Sequence, residues 1–191
     1  MLSTRDPYGA GGTLALNDPL KSDNSGPYRW ATSQTGCHFT GSAYVMPSTG
    51  PNYCLDANTD FSNFVYQIQV TILQGTAAGI IFRAYDPNQQ YYLLLLTPDG
   101  RYLVYRGDGP DTELTLLASG RHAAIHQGYN QPNLVAVKAS GSSMVFYVNL
   151  QRIAAVVDGH YTHNNIGVTV GLPNEMERNV ASYRYAKVWT L

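Results

Sequence analysis

The residues able to do chemistry are few. Glutamate occurs three times, as Glu113, Glu175 and Glu177. Retaining glycosidases need two carboxyls roughly 5–5.5 Å apart on one surface. Glu175-Met176-Glu177 has an alternating spacing, but it lies between Leu172-Pro173-Asn174 and Arg178-Asn179, a loop composition in which two solvated acids are expected. His122 and His126 are four residues apart and would share one face of a helix, as a metal pair requires; no acid or third ligand stands near them. His160 and His163 flank Tyr161-Thr162 and read as loop residues. No serine sits in a Gly-x-Ser-x-Gly elbow. Calcium needs six to eight oxygens. Asp108 with Asp111, or Asp18 with Asp23, offer fragments of such a set, so calcium is not expected, and neither is any other metal or cofactor.

The elements that must position chemistry are strands. In Phe64–Leu73, Phe64, Tyr66, Ile68, Val70 and Ile72 fall on one side and Val65, Gln67, Gln69 and Thr71 on the other. A period of two over this length is a strand with one face in a core. The pattern recurs in Pro27–Ser33, Cys37–Thr40, Ala43–Met46, Cys54–Ala57, Gly79–Tyr85, Gln90–Thr97, Arg101–Arg106, Leu114–Ala118, Asn133–Ala139, Ser143–Asn149, Gln151–Val157, Ile166–Leu172 and Val180–Thr190. Turn signals such as Pro98-Asp99-Gly100 separate these runs, and only Arg121–His126 suggests a helical turn. Many short strands with this spacing predict an all-β, two-sheet antiparallel sandwich. Residues 1–15 are rich in Gly and small polar side chains and read as a linker or tail, with the domain over 16–191.

Composition narrows the partners. The formal net charge is −1, with no run of Lys or Arg, so nucleic acid is not an expected partner. No apolar run approaches the roughly 20 residues that span a bilayer, and residues 1–16 lack the apolar core of a secretory signal. Cys37 and Cys54 flank a turn-rich segment. The turn-rich flanks favour a disulfide between them, which would imply an oxidising compartment; two buried thiols are the other reading. An exported domain without its own signal is expected to be part of a longer chain, displayed outside the cell or on its surface.

Phe64–Ile72 with Gly79-Ile80-Ile81-Phe82-Arg83, Tyr91–Gly100 with Tyr102, Asn133–Asn149 with Ile153, and Ile166-Gly167-Val168 with the terminal Val188-Trp189 together resemble the concanavalin A-like lectin/glucanase superfamily. That superfamily is a jelly roll shared by laminin-G-type domains and family 16-like glycosidases. With the two cysteines, the pattern is similar to extracellular C-terminal domains of bacterial membrane-bound serine/threonine kinases and lipoproteins. The resemblance implies a jelly roll over about residues 16–191, and one jelly roll hosts lectins, hydrolases and structural modules alike. Family 16 enzymes carry a Glu-x-Asp-x-Glu strand, and this chain has none, so the domain is not expected to be an enzyme.

Alternation places Ile81, Arg83 and Tyr85 opposite the core-facing Ile80 and Phe82. Tyr91, Leu93 and Leu95 fall opposite Tyr92, Leu94 and Leu96, and Leu103 and Tyr105 join them. The outer face so formed is apolar where a solvated sheet should be polar. Either a loop or the N-terminal segment covers it, or it meets a partner. The expected ligand-binding residues are Arg83, Tyr85, Tyr91, Tyr105 and Arg106, with Arg clamping polar groups and Tyr supplying flat apolar contact to a glycan or protein. A homodimer through the same face is the third reading, after binding module and glycoside-acting enzyme.

Overall fold

A computed structural model describes residues 6–9, 11–23 and 27–191. Among them are fourteen strands and one 3-10 turn. In chain order the strands are β1 Thr13–Asp18, β2 His38–Phe39, β3 Tyr44–Thr49, β4 Asn52–Leu55, β5 Phe64–Gln74, β6 Ala78–Tyr85 and β7 Gln90–Leu96. They continue as β8 Arg101–Asp108, β9 Thr115–Arg121, β10 Pro132–Ser140, β11 Ser143–Val148, β12 Gln151–Val157, β13 Asn165–Val170 and β14 Arg178–Thr190. The 3-10 turn, Asp86–Asn88, joins β6 to β7.

Two antiparallel sheets form, as the alternation predicts. One runs β12-β11-β10-β5-β14-β3-β2, with β1 also paired to β14. The other runs β4-β13-β6-β7-β8-β9. Phe64, Tyr66, Ile68, Val70 and Ile72 of β5 all enter the core between the sheets, as do Ile80, Phe82, Tyr92, Leu94 and Leu96. Phe82 is the aromatic hub, 5.6 Å from Tyr92 and 6.1 Å from Phe146 between ring centroids. Two buried tyrosines of the first sheet reach across to the backbone of β13. Tyr66 donates to Gly167 O at 3.1 Å and Tyr183 to Thr169 O at 2.7 Å. Their hydroxyls satisfy polar groups that would otherwise be costly to bury, and they fix the strand whose other face carries a candidate site.

Several local expectations differ. Pro27–Ser33 is not a strand; only Trp30 bridges Asp56, because Pro27 and the neighbouring polar residues offer no alternation to bury. Arg121 ends β9 and a turn follows at residues 122–125, with no helix. The first strand opens at Thr13, inside the stretch read as a tail, because Leu14 and Leu16 pair along β14. Ahead of it Tyr8 docks, its ring 4.7 Å from Tyr147 and its hydroxyl donating to Gln67. Cys37 and Cys54 form a disulfide.

Candidate functional site

The outer face of the second sheet carries the site. Along it, side chains two apart on each strand line up in register. Leu55 pairs across Gly167, Ile81, Leu93 and Tyr105, and Tyr53 across Thr169, Gly79, Leu95 and Leu103. Ile81, Ala84 and Leu93 form a second apolar cluster, with Tyr53, Leu55, Tyr91, Tyr105 and Leu114 packed against it. Ile81 and Leu95 are fully buried and Leu93 is 5% exposed. The expected apolar face is therefore present and largely covered, and Leu93 offers little area to a second copy. The expected N-terminal cover lies elsewhere, since Tyr8 packs on the other sheet, and Tyr129 of the 120–132 loop lines a different hollow with Leu172, Glu175 and Glu177. The residues that rise around the face are Leu114, Gly171 and Pro173.

These walls enclose a hollow of about 410 Å³. Its lining includes Pro51, Gly171 and Pro173, from connections at one end of these strands, with Asn52 of β4, and Asp86, Gln89 and Leu114, from connections at the other end. Tyr53, Tyr91, Leu93 and Thr169 complete the lining. The Tyr53 and Tyr91 rings meet edge to face, with centroids 5.5 Å apart and planes at 62°. The Tyr53 hydroxyl donates to Asp86 Oδ1 at 2.7 Å. Burial and that carboxylate raise the Tyr53 pKa, and burial raises those of Tyr91 and Tyr105. All three remain neutral phenols at physiological pH. The Tyr91 ring lies across Gly107: a Cβ there would fall 2.5 Å from Tyr91 Cε2. The hollow thus joins flat apolar rings to a carboxylate and amides at its rim.

Of the expected ligand-binding residues, Tyr91 lines the hollow and Tyr105 belongs to its apolar cluster. The other three lie off this face. Arg83 is 1% exposed, with φ of 48°. Its left-handed backbone is a bulge between the Phe82–Tyr92 and Tyr85–Gln90 pairs. One extra residue reverses the alternation beyond it, so Ala84 takes the outer position and Tyr85 falls in phase with the core side. The Arg83 guanidinium turns inward, donating to Gly141 O and Tyr161 O from Nη1 at 2.9 and 3.0 Å, and to Ser62 O from Nη2 at 2.7 Å. Burial lowers its pKa. Arg106 pairs with Tyr92 across the sheet and so also points off the outer face. It binds Asp108 at 2.7 Å and Asp158 at 2.6 Å. Tyr92 donates to Asp158 and Tyr161 to Asp108. This network closes one end of the sandwich. Burial opposes ionisation of Asp158, but hydrogen bonds from Tyr92, His160 and Arg106 outweigh it and lower its pKa. Arg106 does the same for Asp108.

The remaining chemistry-bearing residues are also placed. His122 Nδ1 accepts from the Ala124 amide, and His126 Nδ1 bonds Pro132 O. His160 pairs with Asp158 and His163 with Asp60. No group of three metal-ligating side chains occurs among the described residues. Asp108 is committed to Arg106 and Tyr161, and buried Asp18 to the Leu20 amide and Trp30 Nε1. Glu175 and Glu177 lie in the β13–β14 loop and line a second hollow of about 330 Å³ with Thr97, Arg101, Tyr129 and Leu172. Tyr53 and Asp86 were not anticipated. Tyr53 was available by parity: Cys54 reaches the core-facing Cys37, so its neighbour must point outward.

No family model matches the chain, and no curated protein matches it in sequence. Solved structures do. A carbohydrate-binding module from Bacillus subtilis, CBM66, superposes with a TM-score of 0.71 at 16% identity, over 84% of this chain and 95% of that one. A Bacillus subtilis protein of unknown function with a galectin-like fold gives 0.70 at 12%, over 94% and 96%. Bacillus licheniformis β-glucanase gives 0.62 at 10%, over 95% and 99%. The fold is a concanavalin A-like sandwich, shared by binding modules and hydrolases.

Proposed function

We propose that this chain is a non-catalytic module that binds carbohydrate in the hollow on the outer face of the second sheet. The observation that carries the reading is the pairing of the Tyr53 and Tyr91 rings with Asp86 above an apolar floor. A sugar presents a flat C–H face and a rim of hydroxyls. Rings take the first, and a carboxylate with Gln89, Asn52 and Thr169 takes the second. Likeness in fold to a carbohydrate-binding module supports the same reading. Among the described lining residues Asp86 is the single carboxylate, whereas glycoside hydrolysis uses a pair. The Cys37–Cys54 disulfide fits display outside the cell.

Titration against a panel of neutral glucans, xylans, mannans, galactans and fructans tests this. Removing a charged hydrogen-bond acceptor costs about 1.5–3 kcal/mol. Asp86→Ala should therefore weaken binding roughly 10- to 150-fold, and Tyr91→Ala should also weaken it. Variants that bind as the parent does would move the site elsewhere, and a parent that binds none of the panel would remove the reading.

A further inference from the structure

We propose that the hollow selects a sugar carrying a protonated amine over the neutral sugar of the same configuration. This rests on the binding reading above and names the substrate class within it. Among the described lining residues Asp86 is the single charged side chain; no lysine, arginine or histidine stands with it. The arginines of the neighbouring strands are engaged elsewhere. Arg83 of β6 turns to Ser62 O, Gly141 O and Tyr161 O, and Arg106 of β8 to Asp108 and Asp158. Arg101 starts β8 at the end away from Asp86, since Asp108 at the other end is the residue paired with Gln90, and its Nε is bonded to Asp99 at 3.2 Å. Asp86 forms no ion pair with any described residue. A uronate or phosphate entering the hollow would meet a carboxylate and no countercharge.

The carboxylate is also placed to take a donor. Asp86 opens the turn between β6 and β7, where Pro87 follows it and the Gln89 amide donates to its carbonyl at 3.0 Å. Its Oδ1 accepts from the Tyr53 hydroxyl at 2.7 Å, and no described residue donates to Oδ2. Beside it stand the Tyr53 and Tyr91 rings. The face of an aromatic ring attracts a cation, and a hydrogen bond from an ammonium to a carboxylate is roughly twice as strong as one between neutral partners. An ammonium in this hollow gains both interactions. A hydroxyl in its place gains only the weaker bond, and an acetamide loses the charge and adds bulk. The surrounding field has the same sign. The β13–β14 loop that brings Pro173 to this hollow also carries Glu175 and Glu177, which line the neighbouring one and form no ion pair with any described residue. Burial raises the Tyr105 pKa, Arg101 lowers it and Glu175 raises it, so the Glu175 carboxylate is felt on this face.

The test uses short oligosaccharides of glucose, galactose and mannose configuration, each in neutral, 2-amino, 2-acetamido and uronate form, titrated calorimetrically against the protein. Within a configuration that binds, the amino form should bind roughly 5- to 30-fold more tightly than the neutral form, and the uronate most weakly. The preference should shrink as salt screens the charge and as pH rises through the pKa of the sugar amine. Burial raises the Tyr53 and Tyr91 pKa values, so neither phenol titrates over that range. Asp86→Asn keeps an acceptor for Tyr53 and removes the charge, so the amino and neutral forms should then bind alike. Equal affinities in the parent, binding of neutral sugars alone, a uronate bound most tightly, or a preference that Asp86→Asn, salt and pH leave in place would overturn the inference while leaving carbohydrate binding intact. Failure of every form, charged or neutral, to bind would instead overturn the binding reading on which it rests. Should Asp86→Asn not fold, the salt and pH series on the parent protein decides alone.

Discussion

Replacing Arg83 by Met separates two roles that look alike in the sequence. An outward arginine clamping a ligand could be removed with little effect on stability. The arginine found here satisfies three carbonyls, Ser62 O, Gly141 O and Tyr161 O, from three different connections. Methionine keeps the apolar stem and deletes every donor. A buried acceptor left unpaired costs about 1–3 kcal/mol. Water entering the vacated space will re-bond some, and relief from burying a charge whose Nε has no partner offsets part of the rest. The low end of the range applied to three groups gives a loss of about 3 kcal/mol, equivalent to roughly 6–12 °C in Tm for a domain of this size. Urea unfolding of parent and variant, with the disulfide intact, measures it. A loss below about 1 kcal/mol, or a stable variant that has lost only ligand affinity, would show that Arg83 is not a clasp.

Gly107→Ala places a methyl where the Tyr91 ring lies. The ring must move, so affinity for a bound glycan should fall while overpacking costs only about 1–3 kcal/mol; unchanged affinity by titration would mean the ring does not form the platform. Reducing Cys37–Cys54, separated by 17 in sequence, should cost about 3 kcal/mol on the loop-entropy account, read as a lower urea midpoint in reductant, and an unmoved midpoint refutes it. Asp108 and Asp158 have lowered pKa values in the folded protein. Their stabilisation should be complete above the ordinary carboxylate value near pH 4 and decline as pH falls below it. Asp158→Asn should be less stable at neutral pH and show a shallower acid decline; unfolding curves that stay parallel across pH would argue against the network.

Most of the sandwich was legible because burial on one side of a strand leaves a two-residue period that few other structures produce. Phe64–Ile72 is the plainest case, since every apolar residue of the period reached the core. On β6 the site was legible only up to the bulge at Arg83. Parity propagates along a strand until one residue adopts a left-handed backbone, and no feature of Ile81-Phe82-Arg83-Ala84-Tyr85 marks where that happens. Within β6 the expected sides of Arg83 and Tyr85 are therefore wrong, whereas Tyr91 and Tyr105 on the next strands lie where alternation puts them. Arg106 failed for a different reason. Its cross-strand partner Tyr92 had been assigned to the core, and pairing the two strands in register would have carried Arg106 with it. Its ion partner Asp158 comes from a remote strand end, and such tertiary pairing leaves no local signal. Asp86 was hidden because an Asp-Pro-Asn stretch reads as turn chemistry whether or not its carboxylate faces a hollow.

The depth of the site has a cause that acids and aromatics do not supply. A sheet face studded with side chains of equal height is flat, and a flat face holds no small ligand. Here Gly79 stands between Thr169 and Leu95, Gly167 between Leu55 and Ile81, and Gly107 opposite Tyr91. A Cβ at Gly79 would meet Leu94 O, one at Gly167 would lie 2.3 Å from Cys54 O, and one at Gly107 would strike the Tyr91 ring. Each position admits no larger residue, so the outer face carries no side chain at these three points. On that face the glycines leave no side chain beside the lining residues Thr169 and Tyr91, and Asp86, Leu114 and Pro173 stand at the rim. On the proposed reading, specificity rests on Tyr53, Tyr91 and Asp86, which line the hollow.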